Sequence, residues 1–175
     1  MPEKSLTSKP PTALLRWFLR LPILIYRLRL GWLLGNRFLL INHIGRKSGH
    51  LRQTVVEVAD HDQISDTYFV ASGWGYKSNW YNNVMARPNI RIQVGPRKLA
   101  VRAESLGPED GAQVLLKYRE NHPSAANELA KLMGVAIATA TFVELTKIVR
   151  NSLPIVAFRP QTVKNQQDRD AQQLR

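Results

Sequence analysis

Residues 89–104 restrict the fold of this chain more than any other stretch. Ile90, Ile92 and Val94 alternate with Arg91 and Gln93, Gly95-Pro96 makes a turn, and Leu99, Val101 and Ala103 resume the alternation up to Glu104. A period of two residues places successive side chains on opposite faces of a strand, so two such runs around a tight turn predict an antiparallel hairpin. One face of that hairpin is apolar and has to be covered.

The neighbouring segments supply the cover. Phe38–Ile41 reads as a short buried strand, GRKSGH as a turn, and Leu51–Ala59 as a strand rich in β-branched residues. Asp60–Asp66 reads as a polar turn, Thr67–Ala71 as a third strand and Pro154–Phe158 as the last one. The early joins are too short for parallel crossovers. Trp80–Ala86 is a predicted short helix ending before Pro88. Pro108 opens a helix that runs to about Asn121, with Glu109 and Asp110 in its first turn, and residues 124–150 are helical in character. The predicted class is mainly β with helices, a small antiparallel barrel with helices packed around it. No GxGxxG or Walker A pattern is present, so neither a Rossmann dinucleotide site nor P-loop hydrolysis has support.

Outside a barrel domain of residues 36–160, residues 1–12 read as a flexible tail and 161–175 as a polar tail. Residues 13–35 are apolar but broken by Arg16, Arg20, Arg27 and Arg29, which leaves no run long enough for a transmembrane helix. Arg16, Arg20 and Arg27 fall in one narrow helical sector, and Leu14, Trp17, Leu21, Leu24 and Leu28 point elsewhere. That pattern predicts a basic amphipathic helix, kinked near Pro22. Two roles stay open for it: packing on the domain or a partner subunit, or peripheral contact with an anionic membrane through residues 13–30.

The charge balance points to anionic partners. The 175 residues carry 25 Lys and Arg against 13 Asp and Glu, a formal charge of +12, and Glu3 is the only acid among residues 1–52. There is no cysteine, which excludes disulfides, thiol nucleophiles and cysteine-ligated metal centres and fits a cytoplasmic protein. His43, His50, His61 and His122 lack tight metal-ligand spacing, and no metal is inferred.

Two segments carry candidate chemistry. In Gly45–Arg52, glycines allow a tight turn with exposed N–H groups, Arg46, Lys47 and Arg52 supply charge, Ser48 a hydroxyl, and Gly49 the bend. An arginine fork there can clasp a phosphate or carboxylate, though an ordinary basic hairpin turn has the same composition. In Ala71–Asn83, Gly73 and Gly75 would let the loop approach a flat ligand, and Trp74 or Trp80 would wall it. Lys77 and Asn79 would bind its oxygens, and Ser72 stands at a strand end where its hydroxyl would meet a cavity. The competing reading buries Trp80 in the core and leaves Lys77 solvated.

Taken in order, GRKSGHLR, VASGWGYKSNWYNNVMARPNIRIQVG and the closing LPIVAFRP resemble the deazaflavin-dependent nitroreductase family, from about Phe38 to about Phe158. The resemblance implies a split β-barrel related to FMN-binding barrels, with the deazaflavin F420 as cofactor in a basic groove. Arg46, Lys47, Ser48, Gly49 and Arg52 match its phosphate and tail site, Ser72 the serine near ring and substrate, and Trp80, Tyr81 and Asn83 the short-helix motif. The activity implied is hydride transfer from F420H2 to a small electron-poor acceptor: a quinone, an enone or a nitro compound. Ser72, Tyr76 or water would donate the proton. Gly73 stands where the nitroreductase branch has lysine, and residues 119–175 lack the tyrosines of its substrate pocket, which points away from nitroimidazoles. Three alternatives remain at this stage: an FMN-binding oxidoreductase of the same fold, a non-catalytic F420-binding protein, and an anionic-surface or nucleic-acid-binding module. For the last, no complete nucleic-acid motif is present. A homodimer and a monomer with a self-capped barrel are both compatible with the sequence.

Overall fold

The computed structural model describes residues 36–133 and 137–161. The expected tail 1–12, the amphipathic helix over 13–35 and residues 162–175 of the polar tail lie outside them.

Six strands form the framework: β1 (Phe38–Ile44), β2 (Leu51–Asp62), β3 (Thr67–Ala71), β4 (Asn89–Val94), β5 (Arg97–Ser105) and β6 (Ile155–Pro160). They close into a barrel in the order β1-β2-β3-β6-β5-β4, with every pairing antiparallel. The expected hairpin is β4–β5, paired from Asn89↔Arg102 to Val94↔Arg97. Closure depends on β2, which runs three residues past its expected end. Residues 51–57 pair with β1, and the strand then turns to β3. The register shift between Val58 and Asp60 bends it between the two partners.

Among the described residues four helices accompany the barrel: α1 (Asn79–Ala86), α2 (Pro108–Asn121), α3 (Pro123–Met133) and α4 (Phe142–Asn151). The helical stretch expected over 124–150 is thus two helices. Thr141 starts the second with a capping box: the Glu144 amide donates to Thr141 Oγ1 at 3.3 Å, and the Thr141 amide donates to Glu144 Oε2 at 2.7 Å.

Alternation sorts the apolar residues into two cores. Leu39, Ile41, Val70, Ile92, Val94, Val101 and Phe158 fill the barrel, and Trp80 and Val84 of α1 plug one end of it. Leu115, Tyr118, Leu145, Val149 and Ile155 form a second core between the helices and the barrel wall. β6 contributes to both, with Val156 and Phe158 inside and Ile155 outside. This explains its continuous apolar sequence, since a strand covered on both faces has no polar side to show. The α2–α4 contact depends on Gly111, where an added Cβ would lie 2.7 Å from Val149 Cγ1.

Candidate functional site

The inward row of β1 runs Leu39, Ile41, His43, and pairing places Thr54 beside Ile41 and Arg52 beside His43. The row therefore turns polar toward the barrel end plugged by α1. There the turn after β1, α1 and the start of β2 enclose a cleft of about 320 Å3. That volume is at the lower end of small-molecule sites, about 300–1,000 Å3.

The turn is held by the backbone. The Gly45 amide donates to His50 O at 2.9 Å and the Gly49 amide to Gly45 O at 2.8 Å. Gly49 takes φ +68°, a conformation that favours glycine. Side chains then fasten the turn to α1. Asn83 Oδ1 accepts from the Arg46 amide at 3.0 Å and from Arg46 Nη1 at 3.1 Å. Asn83 Nδ2 lies 3.2 Å from His43 Nδ1, and His43 Nε2 lies 3.2 Å from Thr54 Oγ1. His43 is 3% exposed. Burial, and then the positive charge of Arg52, push its pKa from 6.5 down to about 4, so it is neutral at physiological pH.

Seven of the residues expected from the sequence meet at this cleft: Arg46, Lys47, Ser48, Arg52, Asn79, Trp80 and Asn83. Gly45, expected as a turn glycine, lines it too, as do His43, Gln53 and Thr54, which were not expected there. For His43 the signal was available, because it continues the period-two row of Leu39 and Ile41. The Ser72–Lys77 loop does not line the cleft. Ser72 is fully buried and donates to Gly75 O at 3.0 Å, and Tyr76 Oη donates to Val149 O at 3.1 Å. Both hydroxyl protons expected to serve an acceptor are engaged in tying the loop to itself and to α4. Gly75 begins a single 3-10 turn, Trp74 is 45% exposed, and Gly73 and Lys77 lie on the same loop. Trp80 sits in both readings proposed for it, as part of the barrel core and as cleft wall.

The cleft fits an anionic group. Arg46, Lys47 and Arg52 are exposed and form no ion pair among the described residues. Among the described residues Arg52 Nη2 reaches only Ser48 Oγ, at 3.5 Å. A second cleft of about 290 Å3, near Arg37, Asp60 and His61, has its charges matched: Arg37 pairs with Glu57 at 3.2 Å and Asp60 with Lys117 at 3.5 Å. Charges held together without counter-charges favour an anionic ligand at the first cleft.

Fold and cleft together define an antiparallel-barrel protein with a basic cleft at the barrel end. The chain belongs to the F420H(2)-dependent quinone reductase family, whose model matches residues 27–138. It is 32% identical over 75 residues to an F420H(2)-dependent quinone reductase of Mycobacterium tuberculosis strain H37Rv, covering 41% of this chain and 48% of that protein. The chain thus spans about half the length of the curated relatives it matches. Among solved structures, a protein of unknown function from Agrobacterium tumefaciens strain C58 shares the fold at a TM-score of 0.50 and 15% identity, covering 82% of this chain and 56% of that one. An F420-H2 dependent reductase is similar at a TM-score of 0.49 and 19% identity, covering 71% of this chain and 96% of that one.

Proposed function

We propose that this protein is an F420H2-dependent oxidoreductase that reduces a small quinone. The observation that carries the reading is the cluster of Arg46, Lys47 and Arg52, cations with no ion pair among the described residues, in a cleft that lies within the span matched by the family model. These three side chains with Ser48 would hold the phosphate and carboxylate groups of the cofactor through charge-assisted hydrogen bonds. Gly45 and Gly49 keep the turn tight, with their own amides bonded inside it. Asn79, Asn83 and Trp80 would form the α1 side of the site. The loop leading into α1 presents Gly73, Trp74 and Lys77 for the ring end, and Ser72, Gly75 and Tyr76 hold that loop in shape. When bound, the deazaflavin supplies a hydride to the acceptor. The protein's part is to orient the ring against the acceptor and to stabilise the negative charge left on it.

The preference for a quinone rests on the family matched and on the departures at Gly73 and in residues 119–175 from the nitroreductase pattern. The basic, apolar residues 13–30 support a peripheral contact with an anionic membrane, where apolar quinones reside, and a location on its cytoplasmic face. No described helix is long and apolar enough to cross a membrane.

Titration of the purified protein with F420 and, separately, with FMN tests the cofactor. Micromolar or tighter F420 binding is expected, with losses of about tenfold or more for Arg46→Ala and for Arg52→Ala, since each removes a charge-assisted contact. Tight FMN binding without F420 binding would move the protein to the other barrel oxidoreductases. Reduction of a soluble quinone by F420H2, followed by the cofactor's absorbance, then tests the activity.

A further inference from the structure

The hydrogen bonds around His43 have only one consistent set of directions. Asn83 Oδ1 faces two donors, the Arg46 amide at 3.0 Å and Arg46 Nη1 at 3.1 Å. The amide group must therefore turn its Nδ2 toward His43, 3.2 Å away. An amide nitrogen only donates, so His43 Nδ1 is the acceptor and carries no proton. The neutral ring then bears its proton on Nε2, which donates to Thr54 Oγ1 at 3.2 Å. A hydroxyl that accepts this bond keeps its own proton for another partner. Thr54 lines the cleft, and no other partner of its hydroxyl is found among the described residues.

We propose that His43 is a positioning residue which, through this chain from Arg46 to Thr54, aims the Thr54 hydroxyl as a hydrogen-bond donor at an oxygen of the anion bound in the cleft. The inference rests on the anion-binding reading of the cleft given above. It makes the cleft selective: the ligand atom beside Thr54 has to accept a hydrogen bond, as a phosphate or carboxylate oxygen does. The same chain couples the two walls of the site, because a change in how Arg46 meets Asn83 reverses the donor order as far as Thr54. Burial keeps His43 neutral, and the charge of Arg52 also opposes a second proton on the ring.

The tautomer is read without any ligand, by nitrogen-15 NMR of the imidazole in the full chain at pH 7. The Nε2–H form is expected, and the signal disappears in His43→Phe, which assigns it. Asn83→Asp replaces the donor with a carboxylate, and the proton is then expected on Nδ1. A wild-type ring with its proton on Nδ1 would overturn the proposal. Binding is read by calorimetry with inorganic phosphate and with F420. Thr54→Val continues the row of Val56 and Val58 with an isosteric side chain, which keeps the apolar pattern of β2. It is expected to weaken binding about tenfold, and Thr54→Ser to restore it to within about twofold of wild type. Equal affinity of wild type and Thr54→Val sinks the donor role. Phosphate binding without F420 binding by the wild type would remove the cofactor reading and leave this one standing, and binding of neither overturns both.

Discussion

His43 belongs to the row that fills the barrel, and it is where that row turns from packing to polar contacts. Its depressed pKa has a consequence for stability. The unfolded chain takes up a proton near pH 6.5, whereas the folded ring resists it to about pH 4. The stability His43 contributes is therefore complete above about pH 6.5 and is lost as pH falls toward 4. His43→Phe removes this linkage, so the stability gap between wild type and variant is expected to narrow by about 1–2 kcal/mol from pH 7 to pH 4.5, the full linkage being reduced by solvent at the cleft mouth. Urea unfolding at the two values measures it, and an unchanged gap would contradict a buried, neutral His43. At this scale the sequence disclosed identities more readily than contacts. The basic turn was legible because glycines and cations fall together between two strands, although an ordinary hairpin turn has the same composition. Thr54 and Gln53 looked like ordinary strand residues, and His43 fell beyond the expected end of its strand at Ile41, although it continues the period-two row of Leu39 and Ile41.

At the scale of elements, strands were read closely and helix breaks less so. Each expected strand is present. β1 runs on to Ile44, β2 to Asp62 and β6 to Pro160, because ladder partners extend pairing into polar residues that have no apolar pattern to announce them. The break before α4 was written in the sequence as Thr141 followed by Glu144, and alanine-rich surroundings masked it. Thr141→Ala is expected to cost about 1 kcal/mol, measured by thermal unfolding, because it removes one half of the capping box. The loop before α1 is more sensitive. Gly75 takes φ +63°, and a Cβ there would lie 2.6 Å from the backbone oxygen of Ser152, which cannot swing aside as a side chain can. Gly75→Ala is expected to destabilise the fold by about 1–3 kcal/mol and to loosen the Tyr76 bond to Val149. A variant as stable as wild type would show that the loop tolerates a shift away from α4.

For the whole molecule, the net charge and the cleft act at different ranges. A formal charge of +12 raises the local concentration of anions, and the unpaired cations of the cleft give that attraction a destination. F420 affinity is accordingly expected to fall several-fold between 50 mM and 500 mM NaCl, with most of the change in the association rate. A salt-independent affinity would mean that apolar contacts, such as those of Trp80, dominate binding.

Strand periodicity, turn chemistry and joins too short for crossovers settle the class of fold from the chain alone, because they act between near neighbours. The segments GRKSGHLR and Asn79–Asn83 were also legible as candidates, and residues of both meet at the cleft. Tertiary structure alone decided how that site is built. Arg46 and Asn83 are 37 positions apart and meet only because barrel closure sets the turn after β1 against α1. The same closure separates Ser72 and Tyr76 from the cleft, although they are closer in the chain to Asn83 than Arg46 is. Local pattern records which face a side chain takes. Which faces meet depends on register and closure, and these are properties of the folded chain as a whole.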